Sequence, residues 1–588
     1  MKKICQVLLI VFLVSTTVLL LSGCSVQSDR SDKPSGDWSR GLLLGRTAAK
    51  QPVALQVDAD KHVHLVWCET TADRKEALHY AHLNEQGQVM VNQPLGLHLP
   101  NPRRAQLLVD RENNLHLVWL SRAEGQQSLY HVLIDQDGRP AQPLLLSREG
   151  EDVDSFHTYL SAEGETAFVW SSQPENEQKG IFHLVLHDVS SPTLLIPQGI
   201  DPFVLIDNAG TTHLAWLYEK GISARDIYYA TLEGSHVVPD GGQKLTDFEF
   251  AESAVYYGPI IGADTNNLYV LWAVQNLGGG LTPTAAYAFY VSFEPGKPSL
   301  TNPSSISLPT ETMPEYADHA SPYGYSKLAL LPPWVYSSDF VNAPAVVSSQ
   351  KNELPVALSL MIASRSESTI QLAMVVFSEG QPIGYQLASN TLNASVLSTL
   401  VADSDSNLHV AWIDTAGFRQ YDIYYASTSP EAKMWLDRTS SDDIVLGAAD
   451  LVWGIISGIG LLPIVAIWNF PPLIWVVLFY MFSGREYLER MGTKIGLLVS
   501  IIIYCASKLV LLPGLSTGTP FLYQVSSDLR TTLAMAIPVI ILLLALAAIY
   551  IYARRSERAT IFKAYLVFSL TDGLLTVLLY APGFFNPR

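Results

Sequence analysis

The sequence predicts an all-β seven-bladed propeller followed by an α-helical transmembrane bundle, and three observations support this prediction. A short apolar string ending in tryptophan recurs at a period of roughly 50 residues before residue 443. Residues 1–443 hold 27 Lys and Arg against 49 Asp and Glu, whereas residues 444–588 hold 10 against 6. The second part consists mainly of apolar runs long enough to cross a bilayer. We therefore expect an acidic, water-facing part and a membrane part that meet near Asp443.

The N-terminus has the layout of an export signal. Lys2 and Lys3 precede the apolar residues 4–21, and the string Leu21-Ser-Gly-Cys24 overlaps the end of that run. This order resembles the bacterial lipobox, which implies that residues 1–23 are a signal peptide and that Cys24 is lipidated. Residues 24–39, rich in Ser, Asp and Lys, would then form a tether. An uncleaved signal anchor is the alternative.

Residues 40–440 contain the repeat and are predicted to form the propeller domain. Six strings align, and each alternates apolar and polar residues before a tryptophan. A degenerate seventh copy is Leu354–Leu358, and a second string such as Asp422-Ile-Tyr-Tyr-Ala426 follows most copies. Three or four strands per repeat are typical of propeller blades, so we expect the tryptophans between blades and a closing strand near Gly41–Gly45. The six tryptophans are Trp67, Trp119, Trp170, Trp216, Trp272 and Trp412.

The repeated unit resembles the sialidase-like β-propellers of bacterial surface proteins over residues 50–430. The resemblance implies the fold, and it raises glycoside hydrolysis as an alternative activity. The Ser-x-Asp-x-Gly-x-x-Trp turn of that family has no clean copy here, so an enzyme is not the favoured prediction. Arginines predicted to follow the second strands could hold a carboxylate substrate as the family's arginine triad does, or could simply be solvated: Arg74, Arg122, Arg225, Arg365 and Arg419.

Four histidines occupy the same strand position in four repeats, namely His64, His116, His213 and His409. A ring of imidazoles suggests a metal site, but equivalent positions in a propeller are too far apart to enclose one ion. We predict packed or hydrogen-bonded histidines, and we expect neither a metal nor a cofactor. Asp-rich turns such as Asp403-Ser-Asp-Ser-Asn407 resemble parts of a calcium loop, although hairpin turn chemistry accounts for them equally.

Extra sequence between the fifth and sixth strings is the best candidate for a ligand-binding surface. The stretch from Ser299 to Phe340 is rich in Pro, Ser and Tyr, and long loops on propellers often carry recognition. It would bind an extracellular protein or a glycan; a loop that only caps the ring is the alternative. Its candidate residues are Tyr316, Asp318, His319, Tyr323, Tyr325, Trp334 and Tyr336.

Residues 441–588 are predicted to form a helical transmembrane domain with four spans and one interfacial or re-entrant helix. Basic residues mark two cytoplasmic loops, around Arg485 and around Arg555. If lipidation places the propeller outside, an odd number of crossings must separate it from Arg485. The first apolar run, Ile444–Leu462, is therefore not a separate span, unless the signal is not processed and five spans form. The predicted spans are Ile464–Phe482, Ile495–Leu512, Thr531–Tyr552 and Ile561–Phe585.

Three charged residues fall within the apolar runs, and such residues are functional candidates by default. They are Asp450, Lys508 and Asp572, of which the last two could pair and join helices. The acidic composition, with a formal net charge of −18, excludes a nucleic-acid-binding role. The predicted function is a lipid-anchored, extracytoplasmic surface module in a bacterial membrane that binds a ligand or acts as a scaffold. The alternatives are a surface glycosidase and an accessory subunit of an envelope transport or assembly complex with a membrane-protein partner.

Overall fold

The structure is a computed structural model of the 588-residue chain. It describes residues 30–585 except 32, 35–36, 71–75, 98–99, 136, 175–177, 187–191, 277–285, 307–320, 322, 324–335, 348–350, 364–367, 440–442, 444, 446–461, 512–526 and 557. Contacts divide the chain into two compact units, one formed by Asp29–Arg438 and one that contains Thr439–Arg588.

The described part of the first unit contains seven four-stranded antiparallel sheets, which are the blades of a propeller. This confirms the predicted fold class. Blade 1 is β2 (Ala54–Val57), β3 (Val63–Thr70), β4 (Glu76–Leu83) and β5 (Val89–Pro94). Blade 2 is β6 (Pro102–Val109), β7 (Leu115–Ala123), β8 (Gln126–Ile134) and β9 (Leu144–Leu145). Blade 3 is β10 (Asp152–Leu160), β11 (Thr166–Gln173), β12 (Gly180–Val185) and β13 (Thr193–Pro197).

The remaining blades follow the same order along the chain. Blade 4 is β14 (Gly199–Ile206), β15 (Thr212–Glu219), β16 (Ala224–Glu233) and β17 (His236–Glu249). Blade 5 is β18 (Ala254–Ala263), β19 (Leu268–Asn276), β20 (Ala286–Phe293) and β21 (Ser304–Ser305). Blade 6 is β22 (Tyr336–Val346), β23 (Leu354–Ala363), β24 (Ser368–Ser378) and β25 (Gln381–Leu387). Blade 7 is β26 (Ser395–Ala402), β27 (Leu408–Gly417), β28 (Gln420–Ser427) and the N-terminal β1 (Leu42–Thr47).

Strand β1 closes the ring by pairing with β28, as the predicted closing strand requires. Blade 7 therefore combines both ends of the repeat. Its outermost strand, β1, comes from the N-terminal side, and its other three strands come from the C-terminal side. Arg46 lies opposite Asp422 in this pairing, and its Nε donates to Asp422 Oδ1 at 2.6 Å. Because Asp422 is only 1% exposed, this ion pair fixes the closing strand in register.

The repeated tryptophans lie between blades, which confirms their predicted role. Trp119 of blade 2 packs with Val66 and Leu78 of blade 1, and Trp216 of blade 4 packs with Val169 of blade 3. Each blade thus buries the apolar face that it could not cover alone. All six indoles are at most 2% exposed.

The repeated Asp and His form one hydrogen-bonded unit in four blades. In blade 1, Asp58 Oδ1 accepts the backbone N–H of His62 at 2.8 Å, and Oδ2 lies 3.3 Å from His64 Nε2. His64 Nδ1 lies 2.8 Å from the hydroxyl of Tyr80 on the next strand. Equivalent units are Asp110–His116–His131, Asp207–His213–Tyr229 and Asp403–His409–Tyr425. Each unit ties the first hairpin turn to the second and third strands, so the repeated histidines are hydrogen-bonded structural residues.

The two ends of the ring carry different connections. We call the end with the first and third hairpin turns of each blade the turn face, and the end with the loops between second and third strands the loop face. Antiparallel order places the start of every innermost strand at the loop face and the Asp–His turns at the turn face.

The chain enters and leaves the propeller side by side on the turn face. Helix α1 (Pro430–Leu436) follows β28, and Ser429 caps it by accepting from Ala432 N–H. Arg30 Nη1 donates to the carbonyl oxygens of Leu436 and Arg438 at 3.2 and 2.9 Å. Lys33 Nζ pairs with Asp437 Oδ2 at 2.8 Å.

The described part of the second unit contains four long helices: α2 (Leu462–Ser483), α3 (Met491–Leu511), α4 (Ser527–Arg555) and α5 (Ile561–Phe585). Among the described residues, three stretches are long and apolar enough to cross a membrane: Val465–Ser483, Met491–Val510 and Ala536–Arg555. A fourth crossing by α5 remains a prediction. Most of the run Ile444–Leu462, including Asp450, lies outside the described residues.

Two contacts within this unit bear on its topology. Leu488 N–H donates to Ala559 O, and Ile561 N–H donates to Glu486 O, both at 3.0 Å. The two basic loops therefore adjoin each other at one end of the helices.

Candidate functional site

Six of the seven described innermost strands carry a β-bulge near the loop face. Register shifts interrupt β6, β10, β14, β18, β22 and β26, whereas no shift interrupts the described pairing of β2. Bulges re-aim side chains and are frequent at rims and binding sites. The repetition of the bulge around the ring makes the loop-face mouth of the central channel the candidate functional site.

The backbone at several bulges is left-handed. Arg104 and Asp201 both have φ of 49°, and Leu397 has φ of 52°. Non-glycine residues adopt such angles at a cost, and they cluster at functional sites. At Gly258, φ is 96° and an added Cβ would lie 2.8 Å from Leu271 O, so only glycine fits there.

Charged residues of blades 2 and 3 meet at this mouth. Arg104 Nη1 donates to the carbonyl oxygen of Asp154 on the neighbouring innermost strand at 2.8 Å. Lys179 Nζ lies 3.3 Å from Asp154 Oδ2. Arg104 and Asp154 are exposed, so both remain accessible to a ligand.

A second group lies between blades 4 and 5. Tyr256 donates its hydroxyl to Asp201 Oδ2 at 2.9 Å, and the guanidinium of Arg225 lies 5.4 Å from the centre of the Tyr256 ring. Burial, followed by the negative charge of Asp201, raises the pKa of Tyr256, so its phenol stays protonated at neutral pH. Arg225 is 9% exposed and also donates to the backbone oxygens of Gly221 and Ala224.

The mouth therefore offers hydrogen-bond donors and acceptors on both positively and negatively charged side chains. The Tyr256 side chain lies between the carboxylate of Asp201 and the guanidinium of Arg225. Such a set can orient a hydroxyl-rich ligand by directional hydrogen bonds. The arginine prediction covers Arg225, whereas Arg104, Asp154, Asp201 and Tyr256 were missed. Their signal in the sequence is the appearance of charged or tyrosine residues in the first strand of their blades, upstream of the string that ends in tryptophan.

The residues of the predicted ligand-binding insertion are mostly not described. Tyr316, Asp318, His319, Tyr325 and Trp334 lie outside the described residues, and Tyr336 begins β22. Tyr323 is fully buried and packs in the core between blades 5 and 6. Its hydroxyl donates to the carbonyl oxygen of Glu353 at 3.4 Å, so it supports the ring rather than an open surface.

Of the three predicted intramembrane charges, Lys508 and Asp572 pair between α3 and α5. Lys508 Nζ lies 2.5 Å from Asp572 Oδ2 and donates to Thr576 Oγ1 at 2.6 Å. Tyr504 donates its hydroxyl to the same carboxylate oxygen at 2.7 Å. The carboxylate is 2% exposed and has three neighbouring hydrogen-bond partners, which is the arrangement expected of charges that join helices.

No protein-family model matches the chain, and no curated protein matches it. The comparison with solved structures gives matches of low TM-score. A protein of unknown function from Dyadobacter fermentans is 8% identical over 66% of this chain and 98% of its own, with a TM-score of 0.35. The polysaccharide lyase Uly1 is 8% identical over 68% of this chain and 92% of its own, with a TM-score of 0.36. A thermostable family-43 glycoside hydrolase is 12% identical over 44% of this chain and 95% of its own, with a TM-score of 0.28. With TM-scores below 0.5, these matches carry no argument about this chain.

Proposed function

We propose that the chain is a lipid-anchored, extracytoplasmic membrane protein from a bacterium. Its propeller binds a surface glycan at the loop-face mouth. The observation that carries the proposal is the repeated bulge, which presents Arg104, Asp154 and Asp201 around one opening. A glycan supplies the dense hydroxyl groups that alternating carboxylates and cations can bind. The insertion around Tyr316–Tyr336 remains a further candidate for contact with the ligand.

We expect the full-length protein in detergent to bind a neutral or acidic glycan on an array of bacterial surface glycans. Arg104→Gln and Asp154→Asn should each weaken that binding by roughly tenfold, because each removes a charge-assisted hydrogen bond. The matched control is Arg139→Gln, since Arg139 is a 76%-exposed turn-face arginine that pairs with Asp137. Equal binding by all three variants would show that the ligand does not use the mouth.

The orientation of the protein in the membrane can be tested by single-cysteine labelling with a membrane-impermeant maleimide. With Cys68 and Cys505 replaced and Cys24 retained, cysteines within 513–526 and at Arg588 should label in intact cells. Cysteines at Glu489 and Ser556 should label only after permeabilisation, because basic loops stay in the cytoplasm. The contacts between the two basic loops support the same side for both positions.

The reverse labelling pattern would place the propeller in the cytoplasm and remove the surface function. The mass of the mature N-terminus is the independent control, and a lipidated Cys24 is the expected result. An intact Met1 would contradict the lipid anchor, whatever the labelling shows.

A glycosidase is the second candidate, and the group Tyr256–Asp201–Arg225 favours it. Sialidase-like enzymes use a tyrosine beside a carboxylate as nucleophile. Here Asp201 would accept the phenol proton as the Tyr256 oxygen attacks the anomeric carbon, the bond from that carbon to the leaving oxygen breaks, and the leaving oxygen takes a proton from water. Hydrolysis of the bound glycan by the wild type and not by Tyr256→Phe would favour the enzyme. Binding without hydrolysis would favour the binding module.

A further inference from the structure

Blade 3 departs from the repeat at two positions that other blades use for one network. Ser161 stands at the turn position of Asp58, Asp110, Asp207 and Asp403, and Ala167 stands at the strand position of the four repeated histidines. Blade 3 therefore lacks both the carboxylate and the imidazole that fill this place elsewhere.

Other side chains adjust around the missing pair. Tyr159 of the innermost strand places its hydroxyl 2.8 Å from Nε2 of His183, and His183 Nδ1 lies 3.3 Å from Ser235 Oγ of blade 4. A cleft of about 510 Å³ lies beside these contacts, on the turn face between blades 3 and 4.

Negative charge dominates this cleft. Glu163, Glu165 and Glu233 line it and are exposed, and no lysine or arginine is among its described lining residues. The neighbouring Arg111 donates its guanidinium to the carbonyl oxygens of Ala162 and Glu163. Burial lowers the pKa of His183 to about 4, so this imidazole adds no positive charge at neutral pH.

We propose that the cleft between blades 3 and 4 binds a protonated primary amine, carried by a polyamine or by an amino sugar. Separate carboxylates suit an extended ligand with ammonium and hydroxyl groups better than a single metal ion. Consistent with this, no three His, Cys, Asp or Glu side chains among the described residues converge closely enough to hold a metal. Hydroxyl groups of Tyr159, Ser161, Thr211 and Ser235 surround the same space and can orient the ligand.

This site is separate from the proposed glycan site. The cleft lies on the turn face, whereas Arg104 and Asp154 lie at the loop-face mouth of the ring. Either site can therefore fail a test without affecting the other.

Titration calorimetry on the full-length protein in detergent tests the proposal, with spermidine and glucosamine as probes. We expect binding of one or both at neutral pH, and no heat from N-acetylglucosamine, which lacks the charge. Glu233→Gln should raise the dissociation constant by roughly three- to tenfold. Glu379→Gln is the matched control, because Glu379 is also exposed and precedes the glycine of a third hairpin turn, in blade 6.

A second variant removes two of the charges. Glu163→Gln with Glu233→Gln should abolish measurable amine binding while the propeller stays folded, because both side chains are exposed. Both variants and the wild type are measured at one ionic strength, because salt screens the exposed glutamates. Failure of both amines to bind, or equal binding by wild type, Glu233→Gln and the double variant, would overturn the proposal. Arg104→Gln should bind the amine as the wild type does.

Discussion

Alanine in place of Trp412 should lower the free energy of unfolding of the propeller by about 5 kcal/mol. The indole is fully buried between blades 6 and 7, and removing it leaves a cavity. Its Nε1 also donates to Asp414 Oδ1 at 2.8 Å, so the variant leaves a buried carboxylate without that donor. Urea unfolding followed by near-UV circular dichroism, in detergent, measures the change.

Trp216→Ala is the matched control for the hydrogen bond. Trp216 is equally buried, but among the described residues its indole nitrogen has no hydrogen-bond partner. We therefore expect Trp216→Ala to cost about 4 kcal/mol, less than Trp412→Ala. Amides of β1 should lose hydrogen-exchange protection only in the Trp412 variant, because the indole lies against Gly41 beside the closing strand. Equal losses in the two variants would show that the bond to Asp414 adds nothing.

Acidification from pH 7 to pH 4.5 should destabilise the propeller by several kcal/mol. Burial lowers the pKa of His131, His157 and His183 to about 4, and at His131 the neighbouring His116 lowers it further. In the unfolded chain these imidazoles titrate near pH 6.5. The unfolded state therefore binds more protons between these values, and stability is lost as pH falls from about 6.5 towards 4.

Asp414 acts in the opposite direction over part of this range. Burial raises its pKa to about 6, so its contribution is present at low pH and is lost as pH rises through that value. The histidines outnumber it, and the net effect of acid is destabilising. Urea unfolding midpoints measured at several pH values between 7 and 4.5 check the prediction.

The repeat supplies a control for the acid effect. Tyrosine occupies the position of His131 in blades 1, 4 and 7, where its hydroxyl contacts the same imidazole nitrogen. His131→Tyr should keep the contact with His116 and remove one titrating group, so the variant should lose less stability in acid than the wild type. An unchanged pH dependence would show that His131 does not contribute.

The architecture could be predicted because the features that make a blade are local. Alternating apolar residues set the strands, and in four blades the Asp at the first turn serves both the turn and a histidine six residues later, as in Asp58 and His64. Because the same strand arrangement is required in seven blades, the pattern of apolar residues recurs within a single sequence. Even the degenerate string at Leu354 lies in a strand, β23, because closure of the ring requires a blade between blades 5 and 7.

The candidate site could not be predicted in the same way, since it depends on departures from the pattern. A bulge such as that between Arg103 and Gln106 changes register by backbone geometry, and many sequences are compatible with it. Ser161 and Ala167 look unremarkable as residues, and their meaning appears only when blade 3 is compared with its neighbours. The contact of Tyr256 with Asp201 joins residues 55 positions apart, which no local periodicity reveals.

The meeting of the two chain ends at Arg30 and Arg438 has a mechanical consequence. Tension applied between the residues that precede Arg30 and those that follow Arg438 acts across a few hydrogen bonds and the ion pair of Lys33 with Asp437. That load bypasses blades 1 to 6 altogether, so the ring is not stretched when its two attachments are pulled apart. A propeller attached in this way would yield first at the clasp of Arg30 and α1, and then by peeling of β1 from β28, while the other blades keep their shape.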